Sequence, residues 1–377
     1  MLRSQGPVSW DAARQFAVQV ASGGSSEPNV DPMERIRLQE LARVAELRIS
    51  AATGLPTSKS GIVTVLPVTR SDWARRTLDA WRPLLERLAE SLSGGLGQET
   101  GDDEAGMDEL PGEEQAADQF LGGLMRMVAP MMLGMQAGAM VGHLAQRSLG
   151  QYDLPVPRPP SDELLLVAAN IEEFATEWSL PADELRLWIC LNEIAHHAVL
   201  GLPHVHDRLS SLLLDYAGSF ALDPAALEQR LEGLDPSDPA ALQRALSDPR
   251  AMLGAMQSPH QKAVQPQLEA LVVVVEGYVD HVMEQTGTAL ISSYRMLTEA
   301  LHRRRVEATA ADRFVEQLLG LELGRPQYER GEAFVAGVLE RAGSDALDRL
   351  WRSPRELPTP AELDAPGLWL ARIELPD

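Results

Sequence analysis

Apolar residues recur at helical spacing through most of the chain. After Asp31-Pro32, which combines a cap with a first-turn proline, they return at Ile36, Leu41, Val44 and Leu47. Ser71 can cap a second helix, whose stripe is Trp73, Leu84, Leu85, Leu88 and Leu92 with Trp81 beside it. Between the two, Ile62 to Val68 reads I-V-T-V-L-P-V, brief and β-branched, which suits a strand. Helix signals dominate from residue 161 onward. Asp223-Pro224 and Asp238-Pro239 each open a D-P-A-A-L helix start, and Thr359-Pro360-Ala361-Glu362 joins capping-box spacing to a first-turn proline. The pattern predicts a mainly α protein with a minor short-strand element in its N-terminal part.

Composition breaks the chain in two places. Residues 99–118 hold nine acids (Glu99, Asp102, Asp103, Glu104, Asp108, Glu109, Glu113, Glu114, Asp118) and no Lys or Arg, so self-repulsion favours a disordered loop or linker. An EF-hand order of ligands is absent from it. Residues 120–149 are rich in Met and Gly, with Gly134, Gly138 and Gly142 four apart, a period that lets two helices approach closely. Arg126, Pro130 and Gln136 interrupt this run before His143, so it lacks the uninterrupted apolar span a membrane crossing needs. It reads as a tightly packed buried helix. P-V-P-R-P-P at 155–160 is an extended connector. The expected organisation is an N-terminal helical part with one strand (1–96), the acidic linker (97–118), and a helical core (119–377) continuous with the first part.

At 377 residues and 45% apolar, the chain can fill a sizeable core, and at 5% aromatic that core is mainly Leu, Val, Ala and Met. Its formal charge of −22 argues against a phosphate-backbone partner. The one dense basic run, H-R-R-R at 302–305, reads as a solvated helix face. Cys190 is the sole cysteine, which excludes a disulfide framework and reads as a small core residue. The apolar stretch Phe16 to Ala21 is broken by Gln19 and too short for a signal peptide, so a cytoplasmic protein is expected, with no nucleic-acid or membrane partner.

The chemistry concentrates at residues 192–197, N-E-I-A-H-H. Leu187, Trp188, Leu191, Ile194, Ala195, Ala198 and Val199 form a broad apolar stripe, with Asn192 at its edge and His196 one turn on. In the H-E-x-x-H helix of zinc metalloproteases two histidines at i and i+4 hold the ion, and the glutamate after the first reaches its water. Here Asn192 stands where the first histidine belongs. The alternative is a helix's ordinary polar face.

A second segment changes the balance. Leu268, Leu271, Val272, Val275, Val279 and Val282 make an apolar stripe that runs directly into Glu276. A carboxylate there is costly to bury unless it is paired or binds a cation. Asp280, four residues on, has the spacing of an acid that orients a ligating imidazole. A solvent-side glutamate, or an ion pair with an arginine, is the other reading of Glu276. His204 and His206 follow in G-L-P-H-V-H-D, and with His197 they are substitutes for the missing ligand.

L-G-Q-Y-D-L-P-x-P-R-P at 149–159, the N-E-I-A-H-H helix, V-E-G-Y-V-D-H-V-M at 275–283 and L-L-G-L-E-L-G-R-P-Q-Y-E-R-G-E-A-F-V at 318–335 together resemble a family of actinobacterial zincin-like hydrolases. W-R-S-P-R-E-L-P-T-P-A-E-L at 351–363 belongs to the same resemblance, and the branch looks like the one associated with coenzyme F-420 biosynthesis. It implies a mostly helical zincin-like fold and zinc-dependent peptidase or hydrolase chemistry. Carried over, Glu193 matches the general base, His196 the second zinc ligand, Glu276 the third, and Asp280 the acid behind them. Asn192 departs from the family's pattern, and a neutral amide oxygen is a poor zinc donor. Two functions are implied: a metal-dependent hydrolase with a degenerate N-E-x-x-H, or a catalytically inactive zincin scaffold meeting a protein or peptide partner in deazaflavin coenzyme metabolism.

Overall fold

A computed structural model describes residues 6–97, 113–221, 253, 257–307 and 309–375, with the side chains of 93–97, 113–127, 306 and 310 excepted. The elements run α1 (Trp10–Ala21), α2 (Pro32–Thr53), β1 (Thr64–Val68), α3 (Arg70–Ala80), α4 (Arg82–Gly97), α5 (Glu113–Arg147), β2 (Glu163–Val167), α6 (Ala168–Glu177), α7 (Ala182–Leu200) and α8 (Pro203–Ala217). After a stretch outside the described residues come α9 (Pro259–Leu290), α10 (Tyr294–Val306), α11 (Ala310–Leu319), α12 (Arg325–Leu347), α13 (Pro360–Leu363) and α14 (Pro366–Glu374). The fold is mainly α, as the periodicity predicts. The two D-P-A-A-L starts lie outside the described residues, as do residues 98–112 of the acidic segment.

Several local signals act as expected. Asp31 accepts the backbone N–H of Met33 to cap α2, and Thr359 and Glu362 form the reciprocal capping box of α13. The glycine stripe of α5 lies against α1, where a Cβ on Gly134, Gly138 or Gly142 would run into the backbone of Ser9, Ala13 or Ala17. Among the described residues no helix is long and apolar enough to cross a membrane.

Other details differ. The cap of α3 is Thr69, which accepts from the Asp72 N–H, and not Ser71. The single stripe read over Trp73–Leu92 is divided between α3 and α4, because the chain leaves helical geometry at Trp81. Residues 113–118, read as the end of the linker, open α5, where acids are favoured by the helix dipole. A second strand, E-L-L-L-V at 163–167, pairs in parallel with β1 from Thr64↔Glu163 to Val68↔Val167. After Glu163 its leucine-rich apolar run has no alternation to separate it from a buried helix segment. On α2 the buried face is Leu38, Ala42, Ala45 and Ile49, so Ile36, Val44 and Leu47 point outward.

α7 threads through the interior, touching α2, α6, α8, α9 and α10. It is buried from Leu185 to Leu200, with Leu187 alone partly exposed. α9, opened by a capping box between Ser258 and Gln261, presents Leu268 to Val275 to the same core. The crossing of these two helices sets the site.

Candidate functional site

All four polar residues of N-E-I-A-H-H are buried, which excludes a solvated polar face. Each meets a partner or a cavity.

His196 is 1% exposed and Glu276 5%. The His196 Nδ1–H donates to the Asn192 carbonyl oxygen at 2.9 Å, a bond within one helical turn that fixes the ring. Nε2 then faces Glu276 Oε1 across 3.1 Å. Burial pulls the imidazole toward neutrality, but the Glu276 charge and hydrogen bond outweigh it, and its pKa lies above the ordinary histidine value. Burial pulls the Glu276 carboxyl toward neutrality as well, by raising its pKa, but His196 and Arg305 outweigh it and hold the carboxyl below the usual range. The result is a buried imidazolium–carboxylate pair.

Arg305 of α10 stands behind this pair. Its Nη1 is 3.8 Å from Glu276 Oε2, and its guanidinium lies over the Tyr328 ring at 5.5 Å from the centroid. The basic run is therefore not a uniform solvated face. Arg303 pairs outward with Glu299, Arg304 reaches Asp153 at 3.0 Å, and Arg305 turns inward. Asp280 is half-buried with its carboxyl pushed up, mainly by burial, while Arg305 opposes the shift and Glu276 adds to it. It makes no hydrogen bond to His196, since both ring nitrogens are engaged elsewhere.

Glu193 is held separately. Its Oε2 accepts the backbone N–H groups of Gln151 at 2.8 Å and Tyr152 at 3.0 Å. Gly150 makes this approach feasible, because a Cβ there would strike the Glu193 carboxylate. Burial and the nearby Asp153 charge push the Glu193 carboxyl up to about 7, against lowering by His196 and the two backbone donors. Tyr152 also stacks on His196, with centroids 6.1 Å apart, and its hydroxyl meets His197 Nδ1 at 2.9 Å.

The remaining histidines lie elsewhere. His197 and His206 line a different cavity, beside Lys59, Arg158 and Asp162. Burial lowers the His197 pKa, and His206 bonds the Arg158 carbonyl oxygen through Nε2 and Asp207 through Nδ1. His204 lines neither that cavity nor the one beside Asn192, and its Nε2 has no hydrogen-bond partner.

Asn192 borders a cavity of about 110 Å³ shared with Tyr152, Glu193, Trp188, Arg305 and Tyr328. Its Oδ1 is buried without a hydrogen-bond partner, an arrangement that costs about 1–3 kcal/mol. The donor set available to zinc is thus one imidazole and one carboxylate already joined to each other, plus a neutral amide. Among the described residues no three His, Cys, Asp or Glu side chains converge on one point. A catalytic zinc takes three protein ligands, and a guanidinium beside the carboxylate competes with a cation. The residues present do not fit a zinc centre.

Sequence reasoning brought His196 and Glu276 together but missed Gln151, Tyr152, Arg305 and Tyr328. L-G-Q-Y-D and Q-Y-E-R carry three of them, yet nothing in their spacing says that backbone amides at 151–152 would clamp a glutamate. Cys190 is a buried core thiol, as expected, and burial raises its pKa.

Residues 8–370 match the model of a family described as zincin-like metallopeptidase. The structure is also similar to the crystal structure of a "putative hydrolase with a novel fold" from Chloroflexus aurantiacus, with a TM-score of 0.63, 23% identity, and 98% of this chain and 100% of that one covered. At that identity the likeness is one of fold. No curated protein matches the chain.

Proposed function

We propose, from the premise that this chain belongs to the zincin-like metallopeptidase family, that it is a catalytically silent zincin scaffold. In this reading the family's metal centre is replaced by a buried ion pair, and the protein works in the cytoplasm through contacts with a protein partner in deazaflavin coenzyme F-420 metabolism. The 3.1 Å contact between His196 Nε2 and Glu276 Oε1, backed by Arg305, carries it. That pair satisfies internally the two groups that would otherwise seek a cation, and it puts the positive charge on protein atoms. The clamp on Glu193 supports the same reading, because a carboxylate that accepts two backbone N–H bonds is restrained from moving toward a substrate. The link to F-420 metabolism rests on the resemblance of residues 149–159, 275–283 and 318–335.

Two observations favour the second reading, a metal-dependent hydrolase with degenerate N-E-x-x-H. The partnerless Asn192 Oδ1 at the cavity wall is an acceptor that a cation would satisfy, and a Glu193 carboxyl near pKa 7 suits proton transfer at neutral pH.

Metal analysis separates them. Purified from zinc-replete medium, the wild type is expected to hold little zinc, and Asn192→His to raise the stoichiometry by restoring a third strong donor. One tight zinc per wild-type chain sinks the silent-scaffold reading. A metal-free Asn192→His protein sinks the assignment of His196 and Glu276 as an inherited ligand pair.

A further inference from the structure

α2 is apolar on two sides, and only one is used. Leu38, Ala42, Ala45 and Ile49 are buried in the core. On the opposite side Met33 is 61% exposed, Ile36 52%, Val44 43% and Leu47 69%. These four are the largest share on any one helix of the ten large apolar side chains exposed among the described residues. Scattered apolar residues on a surface need no explanation; four on one face of one helix, as the i,i+3 pairs Met33–Ile36 and Val44–Leu47 on either side of Arg37 and Glu40, do.

The order of residues within the stripe says what covers it. Ile36, Glu40, Arg43 and Leu47 succeed one another at intervals of four, three and four, so they share one face of the helix. In reverse order the spacing is unchanged, and the sequence apolar–acid–base–apolar becomes apolar–base–acid–apolar. A second copy of α2 laid antiparallel, with a two-fold axis between residues 41 and 42, sets Ile36 against Leu47 and Glu40 against Arg43, each pair occurring twice. Glu40 and Arg43 are both exposed and make no ion pair of their own among the described residues. We infer that the outer face of α2 is a two-fold interface on which a second copy of this chain docks antiparallel. The apolar pairs drive the association, and the charge pairs beside the two-fold axis fix its direction and register, since charge pairs across an interface contribute specificity more than affinity. The inference is independent of whether the His196–Glu276 site is silent or active.

Sedimentation velocity on the full chain over a dilution series tests it. The wild type is expected to dimerise reversibly, and Leu47→Glu to stay monomeric. Glu40→Arg and Arg43→Glu alone each weaken the dimer by about tenfold in Kd, and the double variant, with the charges exchanged, recovers it. All three positions are solvent-exposed, so the fold tolerates the changes. A wild type that stays monomeric at every concentration overturns the inference, as does a dimer indifferent to Leu47→Glu. A dimer abolished by Leu47→Glu but not restored by the charge exchange overturns the antiparallel register.

Discussion

At the residue scale, Glu193 offers a test that needs no substrate. Its carboxyl titrates near 7 in the folded chain against an ordinary value of about 4.5, because it is buried with Asp153 nearby. The folded state therefore holds a proton that the unfolded chain has released between those limits. The folded state carries no penalty below about pH 4.5, loses stability as pH rises toward 7, and is steady above that. The loss is on the order of 3 kcal/mol at most. Glu193→Gln keeps an oxygen for the Gln151 and Tyr152 amides and removes the titration. Urea denaturation across that range is expected to show a falling wild-type curve and a flatter variant; parallel curves would refute the assignment. How legible each of these residues was in the sequence depends on reach. The meeting of His196 and Glu276 was readable from the spacing of a metal-ligand set and from the cost of burying a lone carboxylate, although they were expected to converge on an ion and instead bond each other. Arg305 was hidden because three successive arginines point in three directions, and only the packing of α10 decides which one turns inward. Asp280 is one turn from Glu276, yet a modest rotation of α9 is enough to deny it the imidazole.

At the scale of elements, the contact between α1 and α5 shows where two principles compete. Gly→Ala inside a helix gains about 1 kcal/mol from backbone entropy. At Gly138 the added Cβ meets the Ala13 carbonyl oxygen and the Phe16 Cβ, and backbone cannot move aside as a flexible side chain does. Overpacking costs about 1–3 kcal/mol, so Gly138→Ala is expected to destabilise on balance, with a lower urea midpoint as the readout. An unchanged or raised midpoint would mean that α1 sits further from α5 than the structure shows. This close approach was readable from a four-residue period of glycines. The orientation of α2 was not. Its two stripes, Leu38–Ala42–Ala45–Ile49 and Ile36–Val44–Leu47, both have helical spacing, and small alanines on one side allow close packing against α7 that bulkier side chains on the other do not. Strand β2 escaped for a related reason, since a short leucine run becomes a strand only through a partner ninety-nine residues away.

At the scale of the whole molecule, the N-terminal part is interlaced with the rest of the chain. β1 is one half of a two-stranded parallel sheet whose other half begins at Glu163. α1 packs on α5, α2 on α7 and α9, and Arg186 of α7 bonds Glu34 of α2 at 2.6 Å. Removing residues 1–96 would therefore strip α7 of one of its walls, and α7 carries Asn192, Glu193 and His196. We accordingly propose that the parts before and after the acidic segment form one folding unit, although chains of this length commonly divide into separate domains. Calorimetry discriminates. A single endotherm, with calorimetric and van't Hoff enthalpies in agreement, is expected of one unit. Two resolved transitions would show that the N-terminal part unfolds on its own. The ion pair would then lie in a core that survives without α2, and the dependence of the site on the N-terminal helices would be lost.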